Sequence, residues 1–131
     1  MTSTTTPRVK IMVVDDDPVV LETTRERLEG AGYEVSNRSS SLGTTAAVLR
    51  EKPDFMLLDV NMPGLRGDVI ASLVSDWSGS SKTPRIILHS SSSNEALVAL
   101  ANRCGAIGVI EKTSDARKFL LGLAECIASV D

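Results

Sequence analysis

The stretch Phe55-Met56-Leu57-Leu58-Asp59-Val60-Asn61-Met62-Pro63-Gly64 constrains the fold more than any other part of the chain. Four consecutive apolar residues suit a strand covered on both faces, as in the middle of a parallel sheet. A carboxylate within that run would be costly to bury without a partner. The simplest resolution ends the strand at Asp59, on the edge where open α/β sheets bind their ligands. Pro63 and Gly64 then shape a loop. Pro63 fixes its own backbone torsion, and Gly64 tolerates torsions that other residues avoid.

The same pattern repeats along the chain. A β-branched apolar run over 9–14 leads into Asp15-Asp16-Asp17, and Pro18 opens a helix to about residue 29 with Asp17 as its N-cap. A short strand over 33–37 follows, and Ser39, Ser40 and Ser41 are expected to cap a helix over 42–50. Beyond the organising strand, the pattern predicts a helix over 68–77 and a strand over 85–89 ending in a run of four serines. A helix over 94–103, a strand over 107–111 leading to Lys112 and Thr113, and a final helix over 115–130 complete the series. In the last helix Phe119, Leu120, Leu123, Cys126, Ile127 and Val130 recur at core spacing. Short apolar strands alternating with helices imply an α/β fold, a parallel sheet with helices on both faces. With no repeat and no internal linker, one domain is expected over 8–131, after a Thr-rich tail over 1–7 that is expected to be disordered.

A chain of 131 residues, 42% hydrophobic and 24% charged, has the size and balance of one globular domain. Only 3% is aromatic, so the core must be aliphatic. A net charge of −3 gives no reason to expect nucleic-acid binding by this domain. No apolar run is long enough to span a bilayer, and the first seven residues lack a signal-peptide pattern. A cytoplasmic location is expected, with Cys104 and Cys126 as buried, reduced thiols in helices.

In a parallel sheet the carboxyl ends of all strands share one edge. Four of the five expected strands end in chemically useful residues: Asp15 and Asp16, Asp59, Ser90, and Lys112. If those four strands are neighbours, the groups come within reach of one another. Carboxylates facing each other have raised pKa values unless a cation lies between them. A hard divalent cation with oxygen ligands, Mg²⁺, suits that set, and the backbone carbonyl of Asn61 offers a further ligand. Lys112 and the Ser90 hydroxyl suit an added anion. A carboxylate nucleophile, Mg²⁺, a lysine and a hydroxyl make a phosphoryl-transfer site, with an aspartyl phosphate on Asp59 as product. Taken singly, each residue has an ordinary reading. Asp17 is a helix cap, Asp15 a solvated loop carboxylate, Lys112 a surface lysine, Ser90 a turn residue, and the sole histidine, His89, a core or edge side chain.

With these residues in this order, the chain resembles the receiver domain of two-component response regulators. The resemblance covers about 9–130 and rests on Val13-Val14-Asp15-Asp16, on Leu57-Leu58-Asp59-Val60-Asn61-Met62-Pro63-Gly64, on Ser90 and on Glu111-Lys112. It implies a doubly wound, five-stranded, flavodoxin-like fold with strand order 2-1-3-4-5. It also implies that Asp59 accepts a phosphoryl group from a phosphohistidine of a partner kinase or phosphotransfer protein. Asp15, Asp16, Asp59 and the Asn61 carbonyl would hold Mg²⁺, Ser90 would be the switch hydroxyl, and Lys112 would pair with a phosphoryl oxygen. The serine run leaves the switch position open between Ser90 and Ser91. The surface formed by the helix over 94–103, the strand over 107–111 and the last helix would face a downstream protein. Such a domain is a switch rather than an enzyme acting on a separate substrate.

Two positions depart from the family pattern. Thr113 stands where proline usually follows the lysine, and because a cis bond before a non-proline residue is costly, a trans or distorted loop is expected there. Val109 stands where the fifth strand often carries Tyr or Phe. The departures leave room for a second reading, a pseudo-receiver that keeps the fold as an interaction module without phosphorylation. A third, a phosphatase of the haloacid-dehalogenase type, asks for an Asp-x-Asp pair, whereas Asn61 follows Asp59 at that spacing, and for a cap domain that the chain lacks.

Overall fold

The structure, a computed structural model, describes residues 8–40, 43–60, 84–91 and 95–129. Five strands, β1 (Lys10–Val14), β2 (Glu34–Arg38), β3 (Phe55–Asp59), β4 (Arg85–Ser90) and β5 (Gly108–Glu111), form one sheet in the order β2-β1-β3-β4-β5. Every neighbouring pair is parallel. This is the flavodoxin-like order. The four strands whose ends carry the candidate site residues are contiguous, and β2 lies outside them at one edge.

Alternation along the strands divides the core in two. Met12, Val14, Met56, Leu58, Ile86 and Leu88 pack on one face against Ala47 and Val48 of α2 (Thr44–Glu51) and Ala101 of α3 (Glu95–Cys104). Ile11, Val13, Phe55, Leu57, Ile87 and Ile110 pack on the other. There they meet Leu21 and Leu28 of α1 (Pro18–Gly30) and Phe119 and Leu123 of α4 (Ala116–Ala128). The apolar runs are thus buried on both faces, and the burial is almost entirely aliphatic. The expected helical spacing in α4 puts Phe119 and Leu123 fully inside, with Leu120, Cys126 and Ile127 packed around them.

Several boundaries differ by a residue or two from the pattern in the sequence. Asp17 caps α1 as expected, accepting from the Val19 N–H at 2.9 Å. Asp115 lies outside α4 as its N-cap, accepting from the N–H groups of Arg117 and Lys118. The serine cap expected for α2 is corrected. That helix starts at Thr44, and Gly43 holds the N-cap position with φ of 75°, a left-handed backbone that glycine adopts without strain. Having no side chain, Gly43 offers no capping oxygen, and the Thr44 hydroxyl donates back to the Ser40 carbonyl at 3.2 Å instead. Cys126 is a free, half-buried thiol. The expected tail over 1–7 and helix over 68–77 lie outside the described residues.

Candidate phosphoacceptor site

Each candidate side chain sits where a strand gives out. Asp15 follows β1, and its backbone N–H still donates to the Arg38 carbonyl of the neighbouring strand at 3.1 Å. The turn into α1 folds back on it, so that the Asp17 N–H donates to Asp15 Oδ1 at 2.9 Å. Asp59 is the last residue of β3 and Ser90 the last of β4. Asp15, Asp59 and Ser90 are all at least 97% buried, whereas Asp16 and Ser91 are exposed. Lys112 follows β5, and its backbone N–H donates to the Ser90 carbonyl at 2.6 Å. The last residue of β4 and the residue after β5 are therefore tied together by main chain.

The Lys112 ammonium bridges two buried carboxylates, 2.9 Å from Asp15 Oδ2 and 3.2 Å from Asp59 Oδ1. Burial alone pulls the Lys112 pKa down, but the hydrogen bond and charge of Asp15, and then those of Asp59, more than reverse it, so the ammonium is held above its ordinary range. Asp15 moves up as well. Burial raises its carboxyl and the charge on Asp59 adds to that, outweighing the Asp17 N–H and Lys112, which pull it down.

One carboxylate oxygen from each of Asp15, Asp16 and Asp59 lies within 4.8 Å of the other two. Two of these carboxylates, Asp15 and Asp59, pair with the Lys112 ammonium, and the three together are a set of hard oxygen donors that fits a divalent cation. Of the expected ligands only Asn61 is not placed, because it lies outside the described residues. No described peptide bond is cis, so the bond before Thr113 is trans.

The model of the response regulator receiver domain matches residues 11–123. The chain belongs to that family. The receiver domain is 30% identical over 105 residues to the transcriptional regulatory protein CseB of Streptomyces coelicolor, an alignment covering 80% of this chain and 43% of the relative. It is 29% identical over 111 residues to protein PilH of Pseudomonas aeruginosa, covering 85% of this chain and 91% of PilH. The chain thus spans less than half the length of CseB. Among solved structures, the chemotaxis protein CheY4 of Vibrio cholerae superposes with a TM-score of 0.80 at 20% identity, over 92% of this chain and 99% of that one. A LuxR-family two-component response regulator from Aurantimonas gives 0.77 at 28% identity, over 94% and 87%.

Around the receiver's acidic edge the structure buries His89, as expected of a core or edge side chain, and adds Arg27, which no sequence pattern marked. His89, just before Ser90, is buried on the α1 and α4 side, with its ring 5.6 Å from that of Phe119 and tilted by 55°. Its Nε2 has no hydrogen-bond partner among the described residues. Burial, then the positive charge of Lys112, drives its pKa down to about 4; Asp59 opposes that shift and Arg27 adds to it. Arg27 of α1 reaches across to the segment after β5 and donates from Nη1 to the Thr113 carbonyl at 2.8 Å. No described helix is long and apolar enough to cross a membrane.

Proposed function

We propose that this receiver domain is a phosphorylatable switch in which Asp59 is the acceptor. The observation that carries the reading is the placement of the Asp59 carboxylate, buried at a strand end, 3.2 Å from the Lys112 ammonium and inside a three-carboxylate cluster. An oxygen of Asp59 attacks the phosphorus of a phosphohistidine on a partner kinase or phosphotransfer protein. A P–O bond forms, the P–N bond breaks, and its electron pair returns to the imidazole nitrogen, which is then protonated. Asp15, Asp16, Asp59 and the carbonyl of Asn61 would hold Mg²⁺, which when bound supplies positive charge to the transferring phosphoryl oxygens.

Lys112 then exchanges part of its contact with Asp15 for a phosphoryl oxygen, and the Ser90 hydroxyl donates to another. Because the Lys112 N–H is bonded to the Ser90 carbonyl, the segments after β4 and β5 move together. That movement biases the surface made by α3, β5 and α4 toward a downstream protein. The domain acts in the cytoplasm and turns over no separate substrate.

The test is binding of beryllofluoride, a phosphoryl mimic, with Mg²⁺. Amide NMR spectra of the wild type should shift around Asp59, Ser90 and Lys112, and those of Asp59→Asn should not. A folded wild type with an unchanged spectrum would point instead to an interaction module that is not phosphorylated.

A further inference from the structure

We infer that Arg27 is a positioning residue for phosphoryl transfer, holding the Lys112 segment in the place where the family usually relies on proline. The inference rests on the phosphoacceptor reading above. Lys112 sits on a short connection between the end of β5 and the cap of α4. Its main chain is tied to β4 by a hydrogen bond from the Lys112 N–H to the Ser90 carbonyl. Past it, Thr113 has no ring to fix its backbone. The Thr113 hydroxyl accepts from the Asp115 N–H at 3.1 Å, a local tie that moves with the segment itself.

Packing does not make up the difference. Between α1 and this segment lies a cavity of about 300 Å³, lined among others by Val20, Thr24, His89, Lys112 and Thr113. Arg27 spans the gap. Its Nη1 donates to the Thr113 carbonyl at 2.8 Å, a contact between residues 86 apart in sequence. The guanidinium is itself held over the Phe119 ring, 5.5 Å from its centroid. Phe119 is fully buried in α4, so the anchor is rigid. A charge-assisted hydrogen bond from an anchored donor fixes the residue next to Lys112, and with it the reach of the ammonium toward Asp59. Displacement of a catalytic group by about 1 Å can cost on the order of a hundredfold in rate.

The experiment is a double-mutant cycle on the full chain with Arg27→Met, which keeps an unbranched stem over Phe119 but removes the donor, and Lys112→Ala. Two readouts are taken on folded protein: the phosphorylation rate at saturating small-molecule phosphodonor and Mg²⁺, and the affinity for beryllofluoride. Arg27→Met should lower both by about tenfold, with Mg²⁺ affinity changed less than about twofold because the acidic cluster is intact. In the Lys112→Ala background the same substitution should have almost no further effect. Arg27→Gln, tested alongside, should behave the same way and serves if the methionine variant does not fold. Equal losses in both backgrounds would show general loosening rather than positioning, and no loss in the first would remove the role altogether. A wild type that takes up neither phosphoryl group nor beryllofluoride would overturn the phosphoacceptor reading and this inference with it, whereas a competent wild type matched by Arg27→Met overturns this inference alone.

Discussion

His89 should govern the acid side of this domain's stability. In the folded chain its imidazole is 98% buried against Phe119 and its pKa lies at about 4, against an ordinary value near 6.5. As pH falls from 6.5 toward 4, the unfolded chain binds a proton that the folded chain refuses. The unfolded state therefore binds more protons throughout that window, and stability is lost as the pH drops. A gap of about 2.5 pKa units corresponds to about 3 kcal/mol between pH 7 and pH 4. That is a large share of the 5–15 kcal/mol typical of a domain. Replacing His89 with Leu keeps an apolar contact with Phe119, removes the titration and removes an Nε2 that has no hydrogen-bond partner among the described residues. Urea unfolding at half-unit steps from pH 7 to pH 4 should show the wild type losing about 3 kcal/mol more than the variant. The comparison cancels Asp15 and every other shared group. Parallel stability curves for the two proteins would refute the claim that burial holds His89 neutral.

Three further outcomes follow from local geometry. Gly108 of β5 has no room for a methyl group, since a Cβ there would lie 2.7 Å from Cys126 Sγ; Gly108→Ala should cost about 1–3 kcal/mol in chemical denaturation, with much of the loss recovered in Gly108→Ala/Cys126→Ala. Asp17→Ala removes the oxygen that accepts from the Val19 N–H and should cost about 1 kcal/mol by the same measurement. Mg²⁺ at about a hundred times its dissociation constant should stabilise the domain by about 2.7 kcal/mol, and exposed Asp16, replaced by Asn, should weaken that response in a thermal-shift titration without unfolding the chain.

Much of the architecture was legible because the signals are local. Apolar runs of strand length, closed by Asp15, Asp59, Ser90 and Lys112, mark strands whose ends must share an edge once the sheet is parallel. The order that makes those four strands neighbours came from family resemblance, and the observed β2-β1-β3-β4-β5 sheet has it. What escaped the sequence depends on partners far away or on backbone form. The α2 cap failed because Gly43 takes a left-handed turn that three preceding serines do not announce. Arg27 reads as one more charge on a helix until its reach to Thr113 is seen, and the burial of His89 against Phe119 joins two elements 30 residues apart. Asp16 shows the limit on the site itself, since a pair of aspartates does not say that one is buried and the other exposed.

The most direct test of Asp59 as phosphoacceptor is intact-mass spectrometry after incubation with Mg²⁺ and a small-molecule phosphodonor, on the wild type and on Asp59→Asn. One added phosphoryl group on the wild type, absent from the variant and absent without Mg²⁺, is the expected result. An adduct that persists on Asp59→Asn, or a folded wild type that gains no mass, would contradict it.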